Sequence, residues 1–180
     1  MWELLIVVAI VVVVGAMYNS LVKLREQSEA AWADIDVQLK RRYDLIPNLV
    51  ETVKGYASHE KDTLERVIQA RNSAMTAQGP AAKAQAEGML AGALKSLFAL
   101  SEAYPQLQAA AGFRDLQGTL SQIEEQVAQA RRYYNAVVRD LNTRTQTFPS
   151  VFIARAFGFT QKEFFEVEEE AKAVPKVKFD

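Results

Sequence analysis

At 180 residues with 49% apolar content, the chain has room for one modest hydrophobic core, and a single folded domain is expected. Its 21 Lys and Arg stand against 22 Asp and Glu, so the phosphate attraction that drives nucleic-acid binding has no global source, which speaks against nucleic acid as a partner. With no cysteine, disulfides, iron-sulfur clusters, thiolate zinc sites and cysteine nucleophiles are excluded.

Residues 4–18 form an uncharged apolar run. Counted over residues 2–22, it reaches the ~20 residues needed to cross a hydrocarbon core, with Trp2 and Tyr18 as interface residues. A competing reading, a signal peptide cut near Val14-Gly15-Ala16, lacks the Lys or Arg that such a peptide carries before its apolar stretch. Lys23, Arg25 and Lys40-Arg41-Arg42 follow the run, whereas Glu3 precedes it. The positive-inside rule therefore predicts a single-pass protein of the cell (inner) membrane, anchored by residues 1–18, with its body in the cytoplasm.

Apolar residues at Leu21, Leu24, Ala31, Ile35 and Leu39 predict a first helix over residues 18–42, and Ile46, Leu49, Val53, Tyr56, Leu64, Val67 and Met75 a second over residues 45–77. Between them, Arg41, Arg42, Tyr43, Asp44, Pro47 and Asn48 read as a turn. Asp44 would cap the second helix, Pro47 would fit its first turn, and the basic residues would complement the first helix's dipole. At ~1.5 Å per residue the turn would stand about 37 Å from the bilayer, well past a Debye length of ~8 Å, so a structural or partner-binding role is expected instead of a headgroup clamp. In the structural version, Arg41 or Arg42 pairs with Asp44 or with a carboxylate of another helix, and Tyr43 packs beneath.

Gln78-Gly79-Pro80 closes the second helix. A third, over residues 81–104, is rich in small residues, and Gly88 and Gly92 have the spacing for close helix packing and assembly into a homo-oligomer. Pro105 ends it. The fourth begins within residues 106–113 and carries the most regular stripe, Phe113, Leu116, Leu120, Ile123, Val127, Ala130, Tyr134, Val137, Leu141 and Phe148. Helices of similar length joined by short breaks predict an all-α fold: the transmembrane helix continues into an antiparallel up-down four-helix bundle over residues 19–148. An extended coiled coil is the lesser alternative.

In residues 149–180 the character changes. Val151, Phe152, Ile153, Ala156, Phe157 and Phe159 make an apolar patch broken by Arg155. If the fourth helix descends to the bilayer, Phe152, Phe157 and Phe159 enter the interface while Arg155 meets headgroups; otherwise they cap the open end of the bundle. Thr160-Gln161-Lys162-Glu163 matches a capping box, predicting a short helix over residues 161–171, and residues 174–179 alternate like an extended tail.

The lone His59 has no second histidine at metal-ligand spacing, and Tyr56 stands where a di-iron helix would need Glu. There is no Gly-x-Ser-x-Gly elbow, and the paired carboxylates Glu124-Glu125 read as solvated. No catalytic residue, metal or cofactor is expected.

Finally, Trp32, the run Arg41-Arg42-Tyr43-Asp44-Leu45-Ile46-Pro47-Asn48-Leu49-Val50, Arg131-Arg132-Tyr133-Tyr134-Asn135, Phe148-Pro149, Phe157-Gly158-Phe159 and Pro175-x-Val177-x-Phe179 occur together. On these residues the chain resembles the LemA family over essentially its whole length. The resemblance implies a bacterial single-pass membrane protein with a helical bundle and no established catalytic residues. It further implies an accessory role at membranes, since some members are connected with a membrane zinc metalloprotease of the stress response and one takes part in forming magnetosome membranes. The expected function is a non-enzymatic, self-associating scaffold or adaptor in membrane organisation or envelope stress. The alternative is a regulatory partner of a membrane zinc metalloprotease. The expected partners are the lipid bilayer, further copies of the chain and such a membrane protein.

Overall fold

The apolar stripe through Leu39, Tyr43, Ile46, Leu49, Val50 and Val53 never breaks step, and every one of these side chains is buried. In the computed structural model, which describes residues 1–166, α1 accordingly runs as one helix over Trp2–Lys54. The turn expected around Arg41 and Asp44 does not exist. Asp44 caps nothing, and Pro47 lies inside the helix.

The physical reason is a donor from a neighbouring helix. Proline at 47 cannot donate to the Tyr43 carbonyl four residues back, the loss that normally ends a helix. Arg71 supplies a replacement: its Nε donates to that carbonyl at 2.7 Å. The chain turns later, across residues 55–60, where Gly55 opens the link and Ala57 is buried under it. Tyr56 and Met75, expected on the second stripe, are exposed.

The remaining helices are α2 (Lys61–Thr76), α3 (Pro80–Ser101), α4 (Pro105–Ala109), α5 (Ala111–Gln146) and α6 (Ser150–Ala156). Gly79, at φ 79°, takes the left-handed backbone that glycine tolerates, and Pro80 then sits at the first helical position, as the Gln78-Gly79-Pro80 break predicts. Pro105 likewise starts α4. Among the described residues the protein is all-α, an apolar amino-terminal helix continuing into packed helices that resolve into two compact units.

One unit comprises residues 1–39 and 123–164. Here Leu21, Leu141 and Ala154 form a buried cluster, with Leu24, Ile153 and Phe159 packed against it, so α6 folds back onto α1 and α5. Trp32 meets Tyr134 with ring centroids 5.3 Å apart. Phe148, expected at the end of the α5 stripe, lies past the helix end and is exposed.

After α6 the predicted capping-box helix is absent over residues 161–166, and its continuation, like the tail over residues 174–179, lies outside the described residues. The segment instead binds to side chains. Buried Asn142 accepts from the Lys162 backbone N–H at 2.8 Å and donates to the Lys162 carbonyl at 2.9 Å, and the Tyr134 hydroxyl donates to the Glu163 carbonyl at 2.9 Å. The Lys162 and Glu163 carbonyls, which a helix would pair internally, are satisfied by side chains instead, and Gln161-Lys162-Glu163 stays non-helical. Burial first, and the nearby Glu163 carboxylate second, raise the Tyr134 phenol above its ordinary value. Asn142→Leu should therefore free this segment: amide exchange at residues 161–164 is expected to accelerate by about tenfold or more, from the loss of two bonds of ~1 kcal/mol each. Exchange unchanged at those amides would show that Asn142 does not hold the segment.

The other unit, within the described residues, comprises residues 40–122 with 165–166. Here α2 and α3, joined by residues 77–79, pack beside the end of α1, and Phe98 of α3 meets Phe113 of α5 at 6.2 Å. Tyr104 donates to Glu60 Oε1 at 3.2 Å, and burial together with that carboxylate raises its phenol.

Candidate functional site

Where α1 emerges from its apolar run, aromatic side chains gather on its flank. The run itself is bare: Leu4, Leu5, Ile6, Val7, Val8, Ile10, Val11, Val12 and Val13 are all exposed. This is the one helix among the described residues long and apolar enough to cross a membrane. At its end, Tyr18 lies 4.8 Å from the Phe157 ring and 5.8 Å from that of Phe159.

The α6 turn is built to place those rings. Gly158, at φ 73°, occupies the left-handed position just past the helix, and the Phe159 N–H reaches back to the Ala154 carbonyl at 2.9 Å. That bond closes the helix end and points Phe157 and Phe159 at the same tyrosine. The two rings then differ in exposure. Phe159 is half-buried in the Leu21 cluster and carries the Arg25 guanidinium over its face at 5.5 Å, whereas Phe157 is exposed. Phe152 and Phe148 are exposed as well, edge to face at 6.1 Å, and Arg155 is exposed beside them. Of the candidate membrane-contact residues, Phe152, Phe157 and Arg155 thus face outward, and Phe159 serves packing.

The Arg41 to Asn48 group falls in the other unit and divides by helix face. Arg41, Asp44 and Asn48 are exposed at helical spacing on one side, and Pro47 is half-buried. Arg42 and Tyr43 point inward to α3, where Arg42 Nη1 pairs with Glu87 Oε2 at 2.5 Å and the Tyr43 hydroxyl donates to the same carboxylate. Lys83 is buried with them, donating to the Ala74 carbonyl at 3.2 Å and lying 5.8 Å from the Tyr43 ring centroid. Ala74 belongs to the last turn of α2, whose outward carbonyls favour a cation.

The sequence allowed Arg41 or Arg42 to pair with Asp44 or with another helix's carboxylate, or to face a partner, and did not single out Lys83 or Glu87. A signal existed, because Lys83, Glu87, Leu90, Leu94 and Leu97 continue one core stripe, and a charge on such a stripe demands a buried partner. Gly88 is half-buried, and Gly92 is exposed, with nothing within 4 Å of where a Cβ would stand. His59 is exposed in the link before α2, and among the described residues no three His, Asp or Glu side chains converge as metal ligands.

The family model for LemA matches residues 31–179, most of the chain. The chain belongs to the LemA family. This LemA-family protein is similar to Magnetosome protein MamQ of Magnetospirillum gryphiswaldense, at 26% identity over 91% of this chain and 70% of the relative. It is similar to Magnetosome protein MamQ 2 of Paramagnetospirillum magneticum, at 25% identity with the same coverage. It also resembles Protein LemA of Metamycoplasma hominis, at 23% identity over 84% of this chain and 69% of the relative. LemA-family membership and the exposed apolar run both point to a membrane-associated protein.

Proposed function

We propose that this LemA-family protein is a non-enzymatic membrane scaffold, anchored by the apolar start of α1 and seated on the bilayer surface through α6. The observation that carries this reading is the exposure of Phe157 beside Tyr18, the residue at which the apolar run ends, together with exposed Phe148 and Phe152 of the same segment. Aromatic rings left in water at the level where a span meets the interface gain by entering it, while Arg155 remains among headgroups. The side chains that could have done chemistry in the bundle are engaged in holding it: Arg42 with Glu87, and Lys83 with the α2 terminus. Open Gly92 beside exposed Met89 on α3 supports self-association as the scaffold's second property. The magnetosome relatives favour a role in organising a cell structure.

The chain has no cysteine, so a single reporter can be placed at will. A nitroxide on Phe152→Cys in the full chain, reconstituted in bilayers, should relax with oxygen more than with a water-soluble nickel complex, and the same label at Asn48→Cys should do the reverse. A label at 152 that responds chiefly to the aqueous relaxant would refute the seating of α6.

A further inference from the structure

Beside the aromatic cluster, α1 and α5 of the same unit leave a groove of about 400 Å³ between them. Ser20, Lys23, Leu24 and Gln27 line it from one face of α1, and Asp140, Thr143 and Arg144 from α5. Arg144 Nη1 donates to Ser20 Oγ at 2.8 Å, which extends the guanidinium across the groove with most of its donors still outward. Two cations of this unit have carboxylate partners, Arg25 with Glu26 and Lys162 with Glu29. Among the described residues neither Lys23 nor Arg144 forms an ion pair, although Asp140 shares the groove.

We infer that this groove is a binding site for the headgroup of an anionic phospholipid whose phosphodiester carries a hydroxyl-bearing substituent, such as glycerol. The inference rests on the membrane-seated reading above, because position is half of the argument. Ser20 and Lys23 lie two and five residues beyond Tyr18, ~3 to 8 Å along the helix, and a headgroup layer is ~5 to 8 Å deep on each side of the hydrocarbon. Chemistry supplies the other half. Guanidinium and ammonium together clamp phosphate oxygens, the recognition expected of basic pockets beside membrane helices. Two cations and one carboxylate leave one net positive charge, which a monoanionic phosphodiester neutralises. Asp140 then accepts from a headgroup hydroxyl. Choline offers it no donor, and ethanolamine, being zwitterionic, leaves the surplus charge in place. Half-buried Leu24 forms an apolar wall against which the start of the acyl chains can lie.

The test is native mass spectrometry of the full chain in detergent, with phosphatidylglycerol, phosphatidylcholine and phosphatidylethanolamine of identical acyl chains, and with inorganic phosphate in parallel. Phosphatidylglycerol is expected to be retained about tenfold better than either other lipid, a preference lost in Lys23→Gln/Arg144→Gln and kept in Arg139→Gln, a cation outside the lining. All of these side chains are exposed, so the helical melt should be unaltered. Equal retention of the three lipids, or equal loss in the Arg139 variant, would overturn the site. Inorganic phosphate displacing phosphatidylglycerol at comparable concentration would make it an anion site and not a lipid site. The nitroxide at position 152 reads bilayer contact separately: contact without headgroup selectivity removes the groove alone, and selectivity without contact removes the seating of α6 alone.

Discussion

Glu87→Ala is expected to lower stability by about 3 to 5 kcal/mol, the range for breaking a buried ion pair from one side. At ~2 to 4 °C per kcal/mol for a chain of this size, the helical melt of the full chain in detergent should fall by roughly 6 to 20 °C. The reason is the state of what remains. Arg42 and Glu87 side chains are each only 4% exposed, so removing the carboxylate leaves a guanidinium that water cannot reach. Tyr43 loses its carboxylate acceptor at the same time and keeps the longer bond to the Ala74 carbonyl at 3.4 Å. Replacing both partners, as Arg42→Met with Glu87→Leu, should cost less than either single change, because no buried charge is left that has lost its ion-pair partner. Costs that simply add would mean that the two residues do not act as a pair. Lys83 gives a second reading of the same cluster: Lys83→Met should cost less than Glu87→Ala, since it removes a cation whose observed bond is to a backbone carbonyl, not to a carboxylate.

Much of this fold could be read from periodicity. The stripe from Leu21 to Leu39, the break at Gly79-Pro80, the end of the third helix before Pro105 and the long α5 stripe to Leu141 all rest on local rules and recur in the structure, whereas the link over residues 55–60 and the short α4 that Pro105 opens do not follow from them. Two local signals misled for one shared reason. Asp44 with Pro47 looks like a helix start, and Thr160 with Glu163 looks like a capping box, yet in both places a distant side chain bonds the backbone group in question. Arg71, from α2, reaches the Tyr43 carbonyl, and Asn142, from α5, takes both polar groups of Lys162. No window of sequence around residue 47 or 162 contains those partners. The candidate membrane surface was legible in its residue types, since Phe152, Phe157 and Arg155 stood out. Phe159 was not separable from them by type. Its burial follows from the turn at Gly158, which sends it back onto Leu21 while Phe157 stays outside. The groove was not legible at all, because Lys23 and Arg144 become neighbours only through the packing of α1 on α5.

Arg71→Leu should be costly for a reason visible only on α1. It retains an apolar stem for packing but removes the Nε–H that meets the Tyr43 carbonyl, leaving that acceptor without the donor it now has; such a loss costs about 1 to 3 kcal/mol. The distinguishing result is its dependence on residue 47. Pro47→Ala restores a backbone N–H at the position from which an ordinary helix bonds the residue 43 carbonyl, so the acceptor regains a partner within α1. Arg71→Leu should then be nearly silent in the Pro47→Ala background and costly in the parent chain, a coupling of about 1 to 2 kcal/mol in a double-mutant cycle. Pro47→Ala alone should be neutral or stabilising, because alanine is favoured over proline in a helix interior by up to ~3 kcal/mol. An Arg71 cost that is the same with proline or alanine at 47 would place the value of this arginine in its contact with Asn72 on α2. The continuation of α1 through a proline would then need a source other than the borrowed donor.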